Sequence, residues 1–404
     1  MTRRALASVA GVAAVVVVVI VIVVVSGGSN GSDTSGSPSP GTASVPTSPL
    51  ISSVATAART SLLLPMGRLG DPANTFWELF LRSGSSSWKL ATPPGVADNG
   101  GLVVAVPSAG PLTAGFLTSA DLTFSPLAQS VDGGSTWSPG ELPTALVGAP
   151  DALASGGAGR LLALVAHSGQ TVLSSAGSLT SWAPVVSTRS LTGQVADCRP
   201  TSLTAVSFGP TGGPLLGARC AAGDRLGVLS TGPDSPAGRP VWEDVGPAVA
   251  GTAGTRTTVL RLDDTVVGTA GLGAVRSGPH AWLVAFWGPG AIGQWVQSRR
   301  LALPTGWSVL ATAVGGGSGT GGAETVLLGA RSERSVVQVA GPGSAWVTLP
   351  IPPAGSGAVA VVGTETDAFV VGGSRLAVWA LASGATGWSR TATVTVPIQY
   401  GSSS

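Results

Sequence analysis

The residues equipped for chemistry are few. The 404-residue chain has 19 Asp and Glu, 21 Lys and Arg, two His, two Cys and one Tyr. Glycoside hydrolysis is the reaction hardest to exclude, because its two carboxylates can come from any pair of loops. Asp263 and Asp264 are adjacent, but consecutive strand residues face opposite sides, so they read as a polar turn between VLRL and TVVG. His167 and His280 are far apart and lack metal-ligand spacing. The run Gly315-Gly316-Gly317-Ser318-Gly319 has no Lys-Ser/Thr after it and reads as loop, not as a phosphate cradle. No residue is assigned to catalysis, to a cofactor or to a metal. Trp282 and Trp287 flank Ala-Leu-Val-Ala-Phe. They read either as packing within a sheet or as a platform that stacks on a sugar or grips a peptide.

The rest of the composition says what must position these groups. Only 10% of residues are charged and 44% are hydrophobic, the reverse of an intrinsically disordered chain. The 60 Gly follow no three-residue period, which excludes collagen. A single long apolar run excludes a polytopic membrane protein. Net charge is +2, with no basic stripe, so nucleic acid is not an expected partner.

Arg3 and Arg4 precede that run, Ala5 to Val25, which is long enough to cross a bilayer as a helix. Its length and the poor cleavage chemistry at Val25-Ser26 favour an uncleaved signal anchor, with residues 1–4 cytoplasmic. Residues 26–49 are Gly, Ser, Pro and Thr with hardly an apolar side chain, a flexible linker. The expected location is a single-pass cell-membrane protein whose C-terminal domain, 50–404, lies outside the cytoplasm. In an exported chain the even pair Cys198 and Cys220 suggests one disulfide, the alternative being two buried thiols. They fall at the far ends of CRPTSLTAVSF and PLLGARC, a hairpin joined by GPTGG.

One Trp recurs after a Gly/Ser-rich turn and a few residues before Pro: Trp88, Trp137, Trp182, Trp242, Trp295, Trp346 and Trp388. The spacing averages about 50 residues, a period typical of repeat architectures. Between these positions lie four short apolar runs per repeat, such as WSVLATAV, ETVLLGAR, RSVVQVA and AWVTLP over 307–350. Four strands repeated seven times predict an all-β, seven-bladed β-propeller with approximate blades 50–94, 100–143, 150–188, 198–248, 255–304, 307–352 and 357–398. The first and fifth fit least well.

Ser130-Val131-Asp132-Gly133-Gly134-Ser135-Thr136-Trp137 resembles the Asp-box, S-x-D-x-G-x-T-W, of sialidase-like propellers, matching at Ser130, Asp132, Gly134, Thr136 and Trp137. Ser175 to Trp182 keeps only fragments of it, with Gly177 at the Asp position. The resemblance implies a strand-turn-strand staple that is structural rather than catalytic. The catalytic set of sialidases, three Arg, a Tyr–Glu pair and an Asp, finds no match: Tyr400 follows the last expected strand, and Arg59 and Arg68 lack the F/Y-R-I-P context. The expectation is a monomeric, non-catalytic binding or assembly scaffold for an envelope protein or glycan. The alternatives are an exported glycoside hydrolase or lyase with a divergent site, and a plain spacer.

Overall fold

A computed structural model describes residues 51–398 apart from 57–58, 70–73, 94–101, 108–109, 117–126, 140–149, 166–169, 177–178, 233–239, 250–253, 266–267, 289–290, 292 and 316–321. The anchor, the linker, His167 and Tyr400 lie outside these residues. Among the described residues no helix is long and apolar enough to cross a membrane.

The architecture is almost wholly β. Consecutive strands pair antiparallel as four-stranded meanders. The second runs Leu102–Ala105, Leu112–Phe116, Leu127–Ser130, Ser138–Pro139, and the last Ser356–Val362, Glu365–Gly372, Arg375–Leu381, Ser389–Thr395. Two unions of meanders go beyond separate blades. Ile51–Ala55, the first strand of repeat one, pairs in parallel with Ser308–Val314 of repeat six, giving an eight-stranded sheet. Pro214–Cys220 pairs with Arg256–Thr265, joining repeats four and five in a nine-stranded sheet. Such non-local pairings have no local sequence signal.

The strands are apolar in long runs because both faces are covered. In Thr60–Gly67, Leu62, Leu64 and Met66 point into a core shared with repeat seven, while Leu63 points into one shared with repeat two. The alternation follows from the two-residue period of a strand. The same sharing recurs between each neighbouring pair: repeats two and three, three and four, four and five, five and six, and six and seven. Each fully buried Leu stabilises by about 1.5–3 kcal/mol, so these shared layers dominate cohesion. Close approach also selects glycine: a Cβ on Gly217 would sit 2.8 Å from Val259 Cγ1 and 3.0 Å from Ala205 Cβ. Meanders packed face to face around shared cores, with the last on the first, make a β-propeller fold.

Two local expectations are corrected. Asp263 and Asp264 are not the turn. They lie within Arg256–Thr265, opposite Ala270 and Thr269, and the chain reverses after Thr265. Thr265 pairs with Gly268, which has a φ of 117°. A short helix, Thr188–Gln194, interrupts the strand rhythm between repeats three and four. It starts at a Ser187/Ser190 capping box and buries Leu191. It falls in the widest gap of the Trp series, Trp182 to Trp242.

Candidate functional site

The turn Ser130–Trp137 is a staple around one carboxylate. Asp132 Oδ1 accepts from Ser130 Oγ at 2.9 Å, Ser135 N at 3.0 Å and Thr136 N at 2.8 Å, and Oδ2 accepts from Thr136 Oγ1 at 2.6 Å. The Thr136 hydrogen bonds are the main reason its pKa falls to about 2. Gly134, at φ 88°, lies where a Cβ would meet Leu81 Cδ1 at 2.7 Å, so the turn abuts repeat one. Asp132 is exposed at a joint between repeats.

The recurrent Trp residues share a bonding rule that the sequence pattern does not reveal. Trp137 donates its indole N–H to Ala91 O, Trp295 to Val245 O, Trp346 to Arg299 O and Trp388 to Pro350 O. Each acceptor lies just beyond the outer strand of the preceding repeat. Trp88, in the first repeat, donates to the Asp367 carboxylate of the last. Trp182 turns to its own Leu179 O, and Trp242 is buried in the core between repeats three and four.

Cys198 and Cys220 form a disulfide with a Cα–Cα distance of 4.8 Å. Gly227 makes room for it: a Cβ there would lie 2.4 Å from Cys220 Sγ. The Asp244 carboxylate sits close to both sulfurs. Sulfurs bonded to each other are not thiolates, so this trio does not make a metal centre. Burial raises the Asp244 pKa to about 7.

The other perturbed carboxyl groups are also interior. Arg261, wholly buried, donates through Nε and Nη2 to Asp263 and through Nη1 to Thr312 O at 2.9 Å. Beside this pair Glu324 is wholly buried, both carboxyl oxygens lack a hydrogen-bond partner, and burial pushes its pKa up to about 8. Arg82 bonds Glu365 at 3.2 Å and Asp367 at 2.9 Å, and burial lifts Asp367 to about 6. Asp151, also buried, rises to about 6. A glycosidase needs such an acid in contact with substrate. These groups lie within the sheets.

A concave surface lies elsewhere, at one end of repeat five. A groove of about 750 Å3 is lined by Ser277 to His280 less Gly278, by Ala281, Trp282 and Arg300, and by Ala302 to Thr305. The hairpin between Gly268–Ser277 and His280–Gly288 forms one wall, and the edge strand Leu301–Ala302 with the following loop forms the other. The Arg300 guanidinium lies over the Trp282 ring, 4.9 Å from its centroid. The ring itself packs against the core between repeats four and five. The Trp282 indole N–H is buried without a partner.

Trp287 is not part of this groove. It is five residues along the same strand, so it faces the other side, packs between repeats five and six, and donates to Gly322 O at 3.1 Å. Trp282 and Trp287 therefore do not form one platform. Arg300 was missed because only folding brings it onto Trp282. A signal was present: between Asp264 and Glu324 the sequence has no acidic residue but holds Arg276, Arg299 and Arg300.

No known family pattern matches the chain. No curated protein matches it by sequence. Its backbone is similar to solved structures. A protein from Lactobacillus plantarum superposes with a TM-score of 0.52 at 12% identity, over 85% of this chain and 98% of that one. YCF48 bound to D1 peptide gives 0.45 at 12%, over 84% and 95%. A puromycin-hydrolysing peptidase of Mycobacterium tuberculosis gives 0.47 at 12%, over 87% of this chain and 54% of the peptidase. At these identities the likeness concerns fold alone.

Proposed function

We propose that this chain is a membrane-anchored, seven-bladed β-propeller outside the cytoplasm, related to Asp-box propellers, that acts as a non-catalytic binding or assembly scaffold for an envelope protein or glycan. Residues 5–25 would be the anchor, residues 26–49 the linker, and residues 50–404 a monomeric propeller. The seven shared cores support the blade count, and the Ser130–Trp137 staple supports the kinship.

The observation that carries the non-catalytic reading is a segregation. The carboxyl groups with strongly raised pKa, Asp151, Asp244, Glu324 and Asp367, belong to strands and their shared interiors. The described groove carries none of them and offers Arg300, His280 and Trp282 instead. That is equipment for holding a ligand rather than for splitting one.

Cross-linking the full-length protein in intact cells, followed by identification of what it captures, tests the reading. The expected result is reproducible enrichment of one envelope component, with no turnover of envelope glycans by the purified protein. Turnover abolished by D263N or E324Q would establish the hydrolase instead. Capture of no consistent component would leave a spacer.

A further inference from the structure

Two carboxylates and one guanidinium meet where the last repeat packs on the first. A single nitrogen, Arg82 Nη1, bonds Asp367 Oδ2 at 2.9 Å and Glu365 Oε1 at 3.2 Å. Glu365 and Asp367 stand two apart on one strand, so their side chains share a face. Asp367 is wholly buried, and its Oδ1 has no hydrogen-bond partner. The Glu365 carboxyl is within hydrogen-bond reach of Asp367. Two ionised carboxylates only accept, so a hydrogen bond between them needs a proton on one. That proton also balances charge, because two carboxylates against one guanidinium leave a surplus negative charge in the seam.

The surroundings supply no other balance. On its own sheet Asp367 lies between Ala360 and Ala380. The strands Ser356–Val362 and Thr60–Gly67 carry no ionisable side chain, and Arg375 sits at the far end of its strand, opposite Gly372. Burial raises the Asp367 pKa most and Glu365 adds to the rise, while the Trp88 N–H and Arg82 oppose it.

The seam has a different fastening at its other end. Arg82 pairs with Thr60 at one end of a repeat-one hairpin, and Thr75 with Gly67 at the other. There Gly67 N donates to Gly373 O at 3.1 Å, a backbone hydrogen bond between the two repeats that does not titrate.

We infer that Glu365 and Asp367 hold one proton between them and form with Arg82 a clasp, shut while the proton is bound and loosened when it leaves, so that the first and last repeats part at this end while Gly67 and Gly373 hold the other. The Glu365 side chain, 33% exposed, gives the proton its route to solvent. The clasp is a property of the closing joint and does not depend on the scaffold reading. Its sign follows from linkage. The shut form binds the proton more tightly than the open form, in which Asp367 regains an ordinary pKa. Opening therefore becomes more favourable as pH rises from 3.8 through about 6, by up to about tenfold per pH unit, and is constant above.

Hydrogen exchange on the full-length protein in detergent micelles, corrected for the intrinsic pH dependence of exchange, reads the opening. Protection across 79–82 and 366–371 should fall by up to about tenfold per pH unit between about pH 4 and about pH 6, then level. Leu112–Phe116, on the other side of repeat one, should not follow. The D367N amide can donate to Glu365 and accept from Trp88, as the protonated acid does, and should keep protection high and flat. E365Q can donate to an ionised Asp367 and should move the fall to lower pH. R82Q removes the cation that favours ionisation and should move it to higher pH. Thermal melts identify a variant that fails to fold, and the opposite shifts of E365Q and R82Q decide the matter without D367N. Flat protection in the wild type, an equal fall in Leu112–Phe116, a wild-type slope in D367N, or shifts of E365Q and R82Q in one direction would overturn the inference.

Discussion

The Trp88 indole N–H donates to Asp367 Oδ2 at 2.9 Å across 279 residues of chain, and Arg82 Nη1 reaches the same oxygen at 2.9 Å. Trp88 and Arg82 belong to the first meander and Asp367 to the last, so one buried carboxylate fastens the two ends of the β region. Around it Leu62, Phe80 and Trp88 pack against Ala360, Phe369 and Leu376, with Trp88 edge-on to Phe369 at 5.3 Å. The polar latch therefore sits inside an apolar joint, where an unmade partner is costly.

Removing that carboxylate should loosen the joint. D367A leaves the Trp88 N–H without its acceptor and Arg82 with Glu365 alone, and a loss on the order of 3 kcal/mol is expected for breaking a buried pair. W88F keeps most of the ring and loses the donor, which should cost about 1 kcal/mol. Urea denaturation followed by tryptophan fluorescence measures both. A D367A protein as stable as the wild type would deny the latch its role.

Glu324 predicts a pH dependence whose sign is fixed by its environment. Burial raises its folded pKa from 4.5 to about 8, so the folded state holds a proton that the unfolded chain has released across that interval. Stability therefore falls as pH rises from about 4.5 through about 8, and flattens above. Asp151, Asp244 and Asp367 are shifted upward too and steepen the same trend. Comparison with E324Q isolates Glu324. The variant should gain on the wild type by up to about 1.4 kcal/mol per pH unit between pH 5 and 8. Parallel stability profiles would show that Glu324 is not held neutral.

Much of this arrangement was readable in the residues, and the unread parts share one cause. The strand runs at 308–395 stand out because Gly, Ser and Pro punctuate them and their side chains alternate between two covered faces. The turn around Asp132 was legible because the hydrogen bonds to its carboxylate are local, whereas the Trp137 bond to Ala91 O was not. So was the disulfide, since one hairpin brings Pro200 opposite Cys220. The parallel pairing of Ile51–Ala55 with Ser308–Val314, the burial of Trp287 and the stacking of Arg300 on Trp282 depend on how repeats meet, and no local spacing encodes that. Asp263 misled for a related reason. A charged residue in a strand interior reads as a turn until Arg261, two positions away on the same face, is seen to neutralise it.

The disulfide closes a loop between residues 22 positions apart and sits wholly buried against Gly227. Replacing both cysteines by serine should cost about 3 kcal/mol through the freed unfolded chain. It also puts two hydroxyls beside Asp244. Denaturation of the double variant, read beside non-reducing mass mapping of the wild type, checks the value. Free thiols in wild-type protein recovered from the envelope would contradict the pairing.

The Trp rule allows a sharper test of how neighbouring repeats are held. In Trp346 the indole N–H is shared between Arg299 O at 2.9 Å and Ser298 Oγ at 3.2 Å, and its ring packs on the core between repeats five and six. W346F keeps an aromatic ring and abandons the hydrogen bond, so a loss of about 1 kcal/mol is expected. W346A also empties the site and should cost about 3 kcal/mol or more. Because the acceptor is the carbonyl next to Arg300, W346F should disturb Arg300 more than Leu63→Ala in the core between repeats one and two, although the latter costs more stability, about 2–5 kcal/mol. Amide hydrogen exchange across 296–303 reads this directly. Faster exchange there in W346F but not in L63A is the expected outcome. Equal protection in both would mean that the hydrogen bond fills a gap without bracing the groove.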